Sequence, residues 1–282
     1  MASAETFWRL GHNITKHDVD GSIALGYRKF RSFFGTSPSV CAAAYDNLSH
    51  VRPIKSCPEH LLWTLLHLKH YATKHISSAL VGVSEKKFRK WCHIFIRLLA
   101  KMPVIEWENR FHRALRGSNI LVSIDGVDFR IMEPSPFNPK WYSHKFHGPG
   151  LRYELAICIR TGDIVWAYGG LPCGEWSDLR LARDVFIFGL REGEKAIADR
   201  GYKDPNFFDF PNGNNDGKKK QVLARHETLN RRLKQFDCLQ QRFRHDLYLH
   251  PLYFHSVVNL TQMMIDHGET LYSVDFKISI RK

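Results

Sequence analysis

The chain has 282 residues, 44% apolar and 24% charged, the composition of an ordinary soluble protein with room for one large domain and a small one. Its 41 Lys and Arg outnumber 28 Asp and Glu, and the net charge of +13 points to a polyanionic partner, nucleic acid foremost. No apolar run approaches the ~18 residues of a membrane span, the start carries no secretory pattern, and six scattered cysteines without a Cys-x-x-Cys pair exclude a zinc ribbon. An intracellular protein with free thiols and no membrane contact is expected.

The positive charge is concentrated early. Residues 1–118 carry 18 basic against 8 acidic side chains, whereas residues 119–282 carry 23 against 20. Residues 1–50 form a basic, aromatic arm in which Asp20–Phe34 has helical possibilities, with Phe30, Phe33 and Phe34 at core spacing. Residues 51–118 are expected to be helical. One helix follows Pro58. A short second helix, a turn at Gly82, Ser84 as N-cap and a helix over 85–100 describe a helix-turn-helix. There Lys86, Lys87, Arg89 and Lys90 would face DNA phosphates or base edges.

After Pro103 the pattern changes to strands. Asn119–Asp125 is an apolar run expected to stop at a turn, at Gly126. Val127–Met132 alternates, and Tyr153–Arg160 and Asp163–Tyr168 are joined by Thr161-Gly162, a hairpin signal. Ser177 is placed to cap a helix over 178–190, and a second apolar run ends at Asp199. A polar Asn/Gly/Lys loop over 212–221 precedes a helix bearing Glu227, and a last helix begins after Pro251. These segments divide into a catalytic region, residues 119–250, and a C-terminal helix and tail, residues 251–282. The predicted fold is α/β: a mixed sheet of three antiparallel strands plus parallel strands, with flanking helices. That order fits a ribonuclease H-like domain following a helical DNA-binding region.

Asp125 and Asp199, each at the end of a buried run, are costly unless something cationic meets them. With Glu227 brought in from a helix they would form an oxygen-rich pocket for Mg²⁺ or Mn²⁺. Two such ions would neutralise charge on the attacking and leaving oxygens of a phosphodiester. Asp128, three positions along the strand, belongs to the opposite face from Asp125. Asp178 is a first-turn acid complementing its helix dipole, a supporting residue. Lys234 is placed to reach DNA phosphate. The histidines at 67, 70, 75, 144 and 147 form no coherent ligand set and are assigned to packing or surface.

Ile124-Asp125-Gly126, Gly174-Glu-Trp-Ser-Asp178, Ala198-Asp199-Arg-Gly201-Tyr202, and Glu227 followed by Leu233-Lys234-Gln-Phe236 resemble the PIF/Harbinger transposases of the IS5-like DDE superfamily. The resemblance spans roughly residues 50–265. It departs from the family at Val127, where Thr is usual, and at Asn230-Arg231, where Phe-Gly is common. It implies Asp125, Asp199 and Glu227 as catalytic metal ligands, double-stranded DNA as substrate, self-association, a Myb-like partner protein and a nuclear location. A transposase-derived DNA-binding protein without cleavage, or another ribonuclease H-like nuclease, is the alternative.

Overall fold

The structure, a computed structural model, describes residues 2–16, 22–211 and 216–276. Asp20 and Gly21 of the first expected helix, and 212–215 of the polar loop, lie outside the described residues. In chain order the first elements are helices α1 (Ala4–Thr15), α2 (Ile23–Phe34), α3 (Pro38–Asn47), α4 (Pro58–His70), α5 (Lys74–Leu80) and α6 (Glu85–Ala100). Strands β1 (Ile120–Arg130), β2 (Tyr142–Ser143), β3 (Gly148–Cys158) and β4 (Ile164–Pro172) follow, then α7 (Asp178–Asp184), β5 (Lys195–Ile197) and β6 (Phe208–Asp209). The series closes with α8 (Gly217–Leu233), α9 (Asp237–Gln240) and α10 (His250–Asp266).

Local chemistry sets most helix starts. Ser22, Ser84 and Ser177 each accept a hydrogen bond from the backbone N–H three residues on, and Pro58 and Pro251 occupy first-turn positions. Among the described residues no helix is long and apolar enough to cross a membrane.

The chain forms two compact units, residues 1–104 with 232–269, and residues 105–231 with 270–282. This partition differs from the boundaries at 118/119 and 250/251 read from the sequence. The reason is non-local packing. In the helical unit, α10 is buried from Ser256 to Ile265. Asn259 Nδ2 donates to the carbonyls of Leu99, Ala100 and Met102, satisfying the open end of α6. Ser256 Oγ donates to Ile96 O at 2.8 Å, and His67 Nε2 meets Tyr253 Oη at 3.0 Å. The helix after Pro251 is thus a core element of the N-terminal unit.

The second unit is a mixed α/β sheet. β1 pairs antiparallel with β3, β3 antiparallel with β4, and β1 parallel with β5, which in turn pairs parallel with β6. β2 adds a short antiparallel pair at the start of β3. One face buries Val122 and Ile124 against Ala182, Phe186, Ala198 and Tyr202. The other buries Ile159 and Ile197 against Val222 of α8. One expectation needs correction here: Asp125 does not end its strand. β1 runs on to Arg130, with Asp125 opposite Leu155 and Arg130 opposite Gly150.

Candidate active site: an acidic cluster on the mixed sheet

Parallel pairing sets the first two acids. Ser123 of β1 lies beside Ile197 of β5. Asp125 lies two residues on from Ser123, on the α8 face, and Asp199 two residues on from Ile197, just past the end of β5. β5 ends at Ile197, and the chain turns so that Gly201 N–H donates to Asp199 Oδ1 at 2.7 Å.

A third carboxylate lies over Gly126, on the opposite face of β1 from Asp125. Asp178, the first residue of α7, lies against Gly126 so closely that a Cβ at position 126 would sit 2.0 Å from its Oδ1. Its Oδ1 is 3.3 Å from Arg152 Nε and its Oδ2 3.9 Å from Lys145 Nζ. Lys145 Nζ donates to Gly126 O at 2.7 Å. Beside them Arg152 clasps Asp128 through Nε and an Nη at 2.8 and 2.9 Å, and gives its other Nη to Trp176 O. Ser143 Oγ donates to Asp128 at 2.5 Å. Glu154, the cross-strand partner of Gly126, is wholly buried; Tyr202 Oη donates to its Oε1 at 3.1 Å, and its Oε2 has no hydrogen-bond partner.

Burial and mutual repulsion shape the protonation of this group. Asp125 is pushed up to about 6, first by burial and then by Asp199 and Asp178, against the pull of Lys145. Burial also raises Asp178 despite Lys145 and Arg152, and lifts Glu154 well above the carboxylate range. Asp128 goes the other way. Burial acts upward on it, but the Arg152 hydrogen bonds, Lys145 and Ser143 outweigh it.

Glu227 stands exposed on α8, where its charge acts on Tyr272. Its neighbour His226 faces inward, with Nε2 3.0 Å from Ser123 Oγ, on the sheet face that carries Asp125. Burial holds that imidazole neutral, with its pKa lowered to about 3. Among the described residues no three His, Cys, Asp or Glu side chains are grouped so that they could hold a metal ion. The charges of Asp178 and Asp199 thus both act on Asp125, while Glu227 stands exposed and its charge acts on Tyr272.

The basic residues expected on α6 are all exposed. Lys87 Nζ lies 5.6 Å from the Trp63 ring centre and Lys90 Nζ 5.5 Å from that of Trp91. Lys234 is exposed just beyond the end of α8. Sequence reading did not single out Glu154, Arg152 or Lys145. The available signal was a glycine inside an otherwise apolar strand, which marks a close approach by something else.

No family model matches the chain, and no curated protein is significantly similar to it. Among solved structures the chain is similar to a Mos1 transposase paired-end complex with left transposon end, at a TM-score of 0.28 and 10% identity, over 96% of this chain and 100% of that one. A pre-cleavage Mos1 transpososome gives 0.26 and 9%, over 96% and 100%. A Mos1 mariner paired-end complex with Mn gives 0.20 and 12%, over 96% and 94%. Likenesses this loose carry no argument, so the functional reading rests on the residues.

Proposed function

We propose that the sheet unit is a ribonuclease H-like DDE catalytic domain of the Harbinger kind. It would cut DNA phosphodiesters at transposon ends and join the freed 3′-hydroxyl to target DNA, with the basic helical unit holding the duplex. One observation carries this reading: a carboxylate in the middle of the central strand and a second just past the end of the parallel strand beside it, whose charge helps raise the first.

The donor set fits a hard divalent cation. The oxygens are carboxylates, and the acids repel one another. Mg²⁺ takes one or two carboxylates together with waters and substrate phosphate, so a complete protein cage is not required. Asp125 and Asp199 would hold it, with Glu227 contributed from α8. When bound, the metal supplies Lewis acidity and an activated water or 3′-hydroxyl. The chain's own residues do the positioning. Gly201 N–H orients Asp199, Lys145 offsets the charge on Asp125 and Asp178, and Arg152 fixes Asp128 beside them.

The exposure of Glu227 on α8, where its charge acts on Tyr272, favours a second reading, a transposase-derived protein that binds DNA without cutting it. Supercoiled plasmid incubated with the purified chain and Mg²⁺, Mn²⁺ or Ca²⁺ separates the two. Nicking is expected with Mg²⁺ or Mn²⁺ and is expected to vanish in Asp199→Ala. Equal activity in wild type and variant, or none in any metal, contradicts the enzymatic reading; retention of DNA without nicking supports the second.

A further inference from the structure

We propose that a rim of aromatic and basic side chains on the sheet unit, built on Trp141 and Trp176, binds an unpaired DNA strand by stacking its bases. The inference rests on the reading of the chain as a DNA-processing protein and names the form of DNA that this unit takes.

Two turns make the rim. Gly174 N–H and Glu175 N–H both donate to Lys140 O, at 2.8 and 3.1 Å, and a Cβ on Gly174 would sit 2.5 Å from Pro139 O. That close approach fixes the short helical turn Pro139–Trp141 against the turn that leads into α7. The second turn is held in place by Arg152, which donates to Trp176 O at 2.8 Å. Lys145 ties the region to β1: it donates to Gly126 O, is 45% exposed, and its charge acts on Asp125.

These turns keep tryptophan at the surface. Trp63 and Trp91 are buried, and Trp107 and Trp166 pack onto the core of the sheet. Trp141 and Trp176 are partly exposed, and each has an exposed cation over its ring, Lys140 Nζ at 5.2 Å and the Arg180 guanidinium at 4.3 Å. Phe137, two residues before Pro139, adds a ring that is 62% exposed. An aromatic ring left in water forgoes the free energy that burial would recover. Paired with a cation, it offers a face for a base and a charge for the phosphate beside it. Duplex DNA hides its base faces in the stack, so this surface fits a strand whose bases are unpaired.

Anisotropy of a labelled single strand of about 16 nucleotides, beside a duplex of the same sequence, tests this with the full chain in EDTA, apart from any cleavage. Replacing both tryptophans, Trp141→Ala with Trp176→Ala, is expected to weaken single-strand binding about tenfold or more and to leave duplex binding unchanged. A second variant, Lys140→Gln with Arg180→Gln, alters only exposed side chains. The salt dependence of its single-strand binding is expected to be shallower by about 0.7 for each phosphate no longer neutralised. If both variants bind the strand as wild type does, the rim does not hold DNA and the reading of the acids stands. Equal loss of strand and duplex, in a tryptophan variant that melts as wild type does, contradicts stacking. Wild type that holds duplex but no single strand overturns this proposal alone. If it holds neither, both ideas fall together.

Discussion

Both units bury neutral histidines, His226 in the sheet unit among them, but among the described residues buried carboxylates belong to the sheet unit alone. The helical unit buries histidines: His67 and His250 are held neutral by burial, with pKa values lowered to about 3. The sheet unit gathers carboxylates: Asp125 is raised to about 6, Glu154 is driven well above its usual range, and Asp178 is raised. A neutral buried imidazole is a packing element with one polar edge, and it asks for nothing beyond a partner such as Tyr253. Several acids pressed together are a standing electrostatic cost that packing does not relieve. That contrast teaches where chemistry resides, because cost without structural return is characteristic of a functional site.

Buried histidines and buried, raised carboxyls respond to pH in opposite directions. A histidine neutral down to about pH 3 contributes fully above its unfolded value near 6.5, and the contribution is lost as the pH falls from there toward 3. Asp125 binds its proton more tightly folded than unfolded. Its contribution is complete below about pH 4 and is lost as the pH rises through about 6.

The largest test breaks the acid cluster's scaffold. Arg152→Ala leaves the buried Asp128 unpaired and is expected to cost about 3–5 kcal/mol in denaturant unfolding. Asp125→Asn works in the other direction, removing repulsion from Asp199 and Asp178. It is expected to stabilise the chain at pH 8 by on the order of 2–3 kcal/mol, with the gain shrinking toward zero below pH 4. In the helical unit His67→Gln keeps a partner for Tyr253 but cannot be charged. Its melting temperature is expected to fall less than that of wild type between pH 6.5 and 4, by about a few degrees. The smallest effect on folding is expected from replacing Lys86, Lys87, Arg89 and Lys90 by Gln. Stability should move by less than about 0.5 kcal/mol, while the salt dependence of DNA binding should become shallower by about 0.9 for each phosphate no longer neutralised.

The helices were largely legible because their signals are local. Ser84, Ser177, Pro58 and Pro251 mark starts that the backbone then uses. Asp128 was separable from Asp125 by strand alternation alone, and it meets Arg152 in the Gly126 half of the pleat. The strand through Asp125 was harder to read. Asp-Gly looks like a turn, and the actual reason for Gly126 is a carboxylate 52 residues later in the chain. Arg152 and Glu154 were hidden for a similar reason, since their partners lie across strands and no nearby residue hints at them. The assignment of α10 to the N-terminal unit was equally out of reach, because Asn259 closes a helix end about 160 residues earlier.

The most direct test of the central claim measures cutting and holding of DNA in the same preparation. Mg²⁺-dependent nicking and duplex retention would be compared in wild type, Asp125→Asn and Asp199→Ala. Both variants are expected to retain DNA as wild type does and to lose nicking by roughly a hundredfold or more. Nicking undiminished in both variants would contradict the account.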